Sequence, residues 1–157
     1  MNDNTDLLTG DYVRFFVPGA AQTSGSKKAF YNKKLGRSMI VPASKKQKPW
    51  SDAVKWKAMQ IFQRRNPFEG PLCLDMIFVR ARPKGHYGTG RNEGVLKAWA
   101  EDLLPTTKPD TLKLGRCVED ALSKIIYIDD SQVVEHHIRK IYGPKPGVDV
   151  CVRKLKP

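Results

Sequence analysis

Hydrophobic and polar positions alternate in some segments of the chain and follow a helical spacing in others. Alternation predicts strands at residues 11–18, 71–82, 126–128, 132–142 and 148–155. The segments 28–32 and 37–41 predict a hairpin that turns at Gly36. Apolar residues at helical spacing predict helices at 49–65 and 110–124. This order predicts a single α+β domain with two main helices on one face of a mixed β-sheet.

Two regions of the pattern carry further expectations. The segment 71–82 is apolar on both faces at its centre, which predicts an interior strand. Residues 83–107 form a long connection without a clear period, interrupted by a short helix near 94–103, and such a loop is either functional or mobile. The domain prediction is a disordered tail over 1–10 followed by one domain over 11–157.

The distribution of charge along the chain indicates a candidate binding partner. The chain has 157 residues and a formal net charge of +12. Twelve basic residues and a single acidic one, Asp52, lie between Gln22 and Arg65, so nearly all of the excess is there. Such a basic region is typical of nucleic-acid binding, although a solvated face is the plainer alternative. It does not separate DNA from RNA, or an enzyme from a binding protein.

Other features limit the class of protein. No apolar run approaches the ~20 residues of a membrane span, and the first residues lack a signal-peptide layout, which predicts a cytoplasmic protein. Cys73, Cys117 and Cys151 have neither metal-ligand spacing nor a disulfide pattern. We interpret Cys73 and Cys151 as buried structural thiols, because both lie in apolar, strand-like runs. A nucleophilic role is not expected for Cys73, because no basic residue or histidine lies near it in sequence.

Acidic residues flank the second predicted helix. Asp110 lies at its start, and Asp129 and Asp130 follow its end. A strand that turns back beside the helix would bring them together, and converging carboxylates suit Mg²⁺. The spacing alone favours the plainer alternative, in which Asp110 is a helix cap and Asp129-Asp130 is a turn.

The segment 108–142 favours the metal site over this alternative, because it resembles the RusA family of endonucleases. The matching motifs are KPD at 108–110, a basic residue at Arg116, DAL at 120–122 and DDSQV at 129–133. Phage members of the family also resemble this chain in VPG at 17–19 leading to GSK at 25–27, in KPW at 48–50 and in the loop at 83–92. The resemblance covers nearly the whole chain from residue 11.

This resemblance implies a homodimer that resolves four-way DNA junctions by paired nicks in recombination and repair. It implies dependence on Mg²⁺, with Mn²⁺ as a substitute, and for a phage protein a location in the host cytoplasm. Asp110 and Asp130 take the place of catalytic, metal-binding carboxylates, and Arg116 takes that of a catalytic lysine. Asp129 is expected to bind the metal or to orient Asp130.

One position departs from the family pattern. Leu112 stands where a second carboxylate is expected, and leucine cannot bind Mg²⁺. Three interpretations stay open. Glu119, about 10 Å further along the helix, substitutes for it; or Asp110, Asp129 and Asp130 suffice; or the protein binds junctions without cutting them. We favour the first two, because the other motif residues are retained.

The sequence also predicts which residues contact DNA. The basic residues predicted to hold phosphates or bases, together with one loop histidine, are Lys27, Lys28, Lys33, Lys34, Arg37, Lys45, Lys46, Lys84, His86 and Arg91. Trp50 and Trp56 are predicted to pack within the first helix region. His136 and His137 are expected on opposite faces of a strand. The competing functions are a non-catalytic DNA-binding protein and an RNA-binding accessory protein.

Overall fold

The structure, a computed structural model, describes residues 6–24, 27–42 and 45–156. Its strands are β1 (Leu7–Leu8), β2 (Tyr12–Pro18), β3 (Lys27–Asn32), β4 (Arg37–Pro42), β5 (Leu72–Arg80), β6 (Val133–Tyr142) and β7 (Gly147–Lys154). The helices are α1 (Gln47–Phe62) and α2 (Thr111–Leu122). This order confirms the predicted α+β class and both main helices.

Five strands form one mixed sheet in the order β1-β2-β7-β5-β6, and β3 and β4 form a separate two-stranded sheet. Strand β5 pairs with β6 in parallel and with β7 antiparallel, which confirms it as an interior strand. The short strand predicted at 126–128 is wrong. Tyr127 instead makes isolated bridges with Phe68 and Ser123, and a 3₁₀ turn follows at Asp130–Gln132.

Both helices pack against one face of the sheet. Strand residues such as Leu74, Met76 and Val150 are buried there against α1 and α2. Gly115 allows α2 to approach β6 closely, because a Cβ at this position would lie 2.6 Å from the Ile138 Cδ1 atom. Each helix therefore presents one apolar stripe to the sheet.

One packing prediction fails on α1. The buried residues repeat every four positions at Trp50, Val54, Ala58 and Phe62. Trp50 is therefore packed as predicted, but Trp56 lies on the outer face and is 65% exposed, so its predicted packing role is wrong. The apolar residues of this helix exceed what one stripe holds, and sequence spacing does not say which of them face the core.

The connection 83–107 is built from short turns, with 3₁₀ turns at Lys84–His86, Gly90–Asn92 and Ala98–Ala100. The last of these replaces the short helix predicted near 94–103. Within the tail predicted over 1–10, Leu7 and Leu8 pair with β2. No helix in the described part of the chain combines the length and the apolar character of a membrane span.

Candidate active site and nucleic-acid interface

Helix α2 and strand β6 run in opposite directions, and this sets the position of every predicted catalytic residue. Near the end of α2, the Glu119 Oε1 atom lies 2.7 Å from His136 Nε2 in β6. Just before α2, the Pro109 carbonyl accepts a hydrogen bond of 3.0 Å from Lys140 Nζ, further along β6. Strand β6 therefore starts beside the end of α2 and returns toward its beginning.

Asp110 and the Asp129-Asp130 pair consequently lie at opposite ends of α2. The 12 residues of this helix span about 18 Å at the usual rise per residue. The convergence expected from the sequence does not occur within one chain. Strand β6 turns back beside the helix as expected, but its first residues meet Glu119 rather than Asp110.

At the end of α2 several carboxylates surround one buried tyrosine. The Tyr127 hydroxyl donates a hydrogen bond of 2.8 Å to the Glu119 carbonyl. Burial raises the pKa of this hydroxyl, and the nearby carboxylates of Glu119, Asp130 and Asp120 raise it further. We call Glu119, Asp120, Asp129 and Asp130 the acidic end of α2. The helix dipole adds to its negative potential, because a helix C-terminus carries a partial negative charge.

The DDSQ segment has a local structure that gives its two aspartates different roles. Asp129 caps the turn Asp130–Gln132 by accepting a hydrogen bond of 3.0 Å from the Ser131 N–H. The Gln132 side chain completes this capping box by accepting from the Asp129 N–H at 3.1 Å. Hydrogen bonds from Ser131 lower the pKa of the Asp129 carboxyl. Asp129 thus holds the turn, and the turn presents Asp130 to solvent.

The exposed face of α2 carries Leu112, Arg116 and Asp120, which are four residues apart and so lie in one row. Leu112 is 76% exposed. Among the described residues no ion pair joins Arg116 to Asp120. Asp120 instead accepts a hydrogen bond of 3.2 Å from the Ser24 hydroxyl. Arg116 is exposed in a row that faces outward.

The beginning of α2 has the opposite electrostatic character. Asp110 lies 3.4 Å from Lys113 Nζ. Lys140 and Arg80 donate hydrogen bonds to carbonyls of residues 107–109 just before it. Asp110 is the residue before the helix, but its side chain makes no cap hydrogen bond. It is thus a single carboxylate among basic groups, exposed to solvent.

The four predicted metal ligands therefore do not fit one ion within one chain. Mg²⁺ is commonly held by one or two protein carboxylates together with water and substrate phosphates. The acidic end of α2, with Glu119 and Asp130, offers such donors, whereas Asp110 cannot join them in the same chain. In the described part of the chain, the three ligand atoms found within 4.8 Å of one another belong to Cys73, Glu135 and His137.

The basic residues predicted to contact DNA concentrate on the β3–β4 hairpin. The Asn32 side chain holds its turn by accepting from the N–H groups of Lys34 and Leu35, at 3.0 and 3.3 Å. Gly36 takes the left-handed conformation there, with φ of 60°. The exposed basic side chains of the hairpin are Lys27, Lys33, Lys34 and Arg37. Lys45 and Lys46 are exposed just before α1, and the side chain of Lys28 lies outside the described residues.

The loop at 83–107 is held against the sheet by ring contacts and hydrogen bonds. The His86 ring lies 5.4 Å from the Trp99 ring and 5.2 Å from the Tyr142 ring. The Arg82 guanidinium donates to the carbonyls of Ala100 and Glu101. His86 is thus a packing contact of the loop, whereas Lys84 and Arg91 are exposed. Trp99, which the sequence did not single out, is the exposed aromatic of this loop.

The cysteine predictions are partly confirmed. Cys73 and Cys117 are buried and Cys151 is half-buried, and burial raises the pKa of the Cys73 and Cys117 thiols to about 11. Cys73 has no basic or histidine neighbour in sequence, but the folded chain brings one of each to its sulfur. Its Sγ atom lies 3.8 Å from His137 Nδ1 and 3.1 Å from Arg153 Nη2. Sequence spacing could not reveal this, because strand pairing creates these contacts.

His136 and His137 point to opposite sides of β6, as predicted. His136 contacts Glu119 on the helix side. His137 Nδ1 lies 2.6 Å from Asp75 Oδ1 on the other side of the sheet. The pair therefore connects two separate polar groups, one beside α2 and one on the face without helices.

Comparison with known proteins agrees with these motifs. The family model described as "Endodeoxyribonuclease RusA" matches residues 18–153. A protein of Bacillus subtilis (strain 168) described as "Uncharacterized protein YqaN" is 38% identical over 86 residues, which cover 55% of this chain and 59% of that relative. The alignment thus spans less than two thirds of YqaN. The match across most of the chain shows that this protein belongs to the RusA endodeoxyribonuclease family.

Proposed function

We propose that the protein is a divalent-metal-dependent endonuclease that cuts branched DNA, with four-way junctions as its substrate. Family membership over residues 18–153 carries this proposal. The exposed Asp130, fixed by the Asp129 cap, and the exposed Arg116 support it, because both types of group suit phosphodiester chemistry. Exposed lysines on the β3–β4 hairpin would hold DNA by its phosphates with little dependence on sequence.

The acidic end of α2 is the proposed metal centre, with Glu119 and Asp130 as ligands and Mg²⁺ as the ion. A bound Mg²⁺ would supply Lewis-acid polarisation of the scissile phosphate. Asp129 acts as a positioning residue, since its carboxylate already accepts the Ser131 N–H. Arg116 binds phosphate through its guanidinium and stabilises developing negative charge, since arginine keeps its proton in proteins.

A homodimer explains how Asp110 takes part. Asp110 lies about 18 Å from the acidic end of its own α2. In a two-fold dimer with antiparallel α2 helices, the Asp110 end of one chain would meet the acidic end of the other. The dyad would then create two equal sites, which suits the paired nicks expected on a four-way junction.

Mixing two inactive variants tests this arrangement. Asp110→Asn and Asp130→Asn each remove one carboxylate, and each variant alone should fail to nick a four-way junction in Mg²⁺. A heterodimer of the two has one site with both carboxylates intact if the sites are shared between chains. The mixture should therefore recover nicking, measured by gel electrophoresis of labelled junctions.

The wild-type protein and each variant alone serve as controls in the same assay. If the wild type nicks and the mixture stays inactive after subunit exchange, each site belongs to one chain and the shared arrangement is wrong. If the wild type itself makes no nicks, the nuclease proposal fails.

A non-catalytic junction-binding protein is the second candidate. Leu112 favours it, because this exposed side chain occupies the position of an expected family carboxylate and cannot bind a metal. In that case wild-type protein would bind junctions with the same affinity as Asp130→Asn and cut none of them.

A further inference from the structure

An unassigned group of metal-ligand side chains lies on the sheet face opposite the helices. Cys73 on β5 and both Glu135 and His137 on β6 each offer one ligand atom, and the three atoms lie within 4.8 Å of one another. The parallel register places Cys73 beside Glu135 and Asp75 beside His137. Side chains alternate between the two faces of a strand, so these four residues point to the same face of the sheet.

The spacing of two ligand atoms suits a tetrahedral ion. Cys73 Sγ and His137 Nδ1 are 3.8 Å apart. Zinc bonds of about 2.3 Å to sulfur and about 2.0 Å to nitrogen, at a tetrahedral angle, separate the two atoms by about 3.5 Å. A shift of a few tenths of an ångström, roughly the difference between these separations, would bring both atoms to bonding distance.

The chemistry of the three donor side chains also determines which ions they would bind. A thiolate, an imidazole and a carboxylate together are typical of zinc sites, whereas Mg²⁺ prefers oxygen donors alone. The group is therefore chemically different from the acidic end of α2. It also lies on the other face of β6, where His137 points away from the helices.

Two neighbours complete the arrangement. Asp75 Oδ1 lies 2.6 Å from the His137 ring nitrogen, and Arg153 Nε donates to Asp75 Oδ2 at 3.3 Å. Arg153 Nη2 also lies 3.1 Å from Cys73 Sγ, so the same side chain contacts both the Asp75 carboxylate and the Cys73 sulfur. Without a metal, Asp75 holds the His137 ring through Nδ1. Metal binding at Nδ1 would break this contact, and Arg153 would then retain the Asp75 carboxylate.

We infer that Cys73, Glu135 and His137 form a binding site for a divalent transition-metal ion of the zinc class, with water in the fourth position. Cys73 is fully buried, whereas Glu135 and His137 are exposed, so the ion would enter from the solvent side. The bound ion would connect β5 to β6 and stabilise the folded chain by mass action.

Cobalt(II) is the probe for this site. Untagged full-length protein, freed of metal, is titrated with Co²⁺ in the absence of DNA and followed by absorption spectroscopy. Wild-type protein should show a thiolate-to-cobalt charge-transfer band in the near ultraviolet, which reports the Cys73 site and not the oxygen donors at the acidic end of α2. Zinc should displace the cobalt and remove the band.

Variants identify the ligands. Cys73→Ser should abolish the band, and His137→Gln and Glu135→Gln should weaken binding by at least about tenfold. The latter two side chains are exposed, so these variants should keep the wild-type circular dichroism spectrum even if Cys73→Ser does not fold. The matched control Cys151→Ser removes a thiol from the same sheet face and should bind like wild type. A wild-type protein without the band, or equal binding by folded His137→Gln, would overturn the proposal.

Discussion

Asp130→Asn is expected to reduce the rate of junction nicking by about a hundredfold or more, because metal-assisted stabilisation of the transition state is worth several kcal/mol. The substitution keeps the size of the side chain and removes its negative charge. Asp130 is exposed on the turn that Asp129 caps, so the fold does not depend on its carboxylate. Single-turnover cleavage of a labelled four-way junction in Mg²⁺ measures the effect.

Binding should separate this catalytic effect from a structural one. Junction affinity of Asp130→Asn, measured in Ca²⁺ or without metal, should equal or slightly exceed that of wild type, because a negative charge near the phosphates has been removed. The matched control Asp102→Asn changes an exposed aspartate in the loop at 83–107 and should cut at the wild-type rate. Unchanged cutting by Asp130→Asn would show that the acidic end is not the catalytic centre.

Removing positive charges from the β3–β4 hairpin is expected to weaken the binding of junction DNA, which is the second large effect. The triple variant Lys33→Gln, Lys34→Gln, Arg37→Gln removes three exposed positive charges from the turn that Asn32 and Gly36 form. Each lost phosphate contact lowers the slope of log affinity against log salt by about one. The slope should therefore fall by about three, and affinity at low salt by about tenfold or more.

A charge-matched variant controls for net charge alone. Lys145→Gln, Lys154→Gln, Lys156→Gln removes three exposed charges outside the basic region at 22–65. It should keep most of the wild-type affinity and salt slope in the same fluorescence-anisotropy titration. Equal losses in the two triple variants would mean that net charge, and not the hairpin, governs junction binding.

Much of the fold could be predicted from local sequence signals. The apolar run of β5 predicted an interior strand, and the strand has a neighbour on each side. The position of Gly36 predicted the hairpin turn, which it takes with a positive φ. Trp56 was misassigned because α1 has more apolar residues than its buried stripe holds, and only packing decides between them.

The arrangement of the candidate site depended on strand direction, which the sequence does not encode locally. The segment after α2 was expected to bring Asp129 and Asp130 to Asp110. Strand β6 pairs in parallel with β5, and its start lies at the far end of α2. The same pairing brings Cys73 and His137 together although 64 residues separate them. Neither result follows from motif spacing.

Glu119 illustrates how the structure changes an open interpretation. The sequence offered it as a substitute for the carboxylate missing at Leu112, about 10 Å further along the helix. The structure places its carboxylate against His136 and near Tyr127, at the same end of α2 as Asp130. If Glu119 substitutes for the missing carboxylate, it does so at the acidic end, and in the proposed dimer Asp110 of a second chain would join it.

Mapping the cleavage products of a four-way junction tests the central claim most directly. Each strand of the junction is labelled in turn and incubated with wild-type protein over a range of Mg²⁺ concentrations. We expect metal-dependent nicks at symmetry-related positions on two opposing strands, giving nicked duplexes. Tight junction binding without a nick at any Mg²⁺ or Mn²⁺ concentration would contradict the nuclease assignment and favour a non-catalytic junction-binding protein.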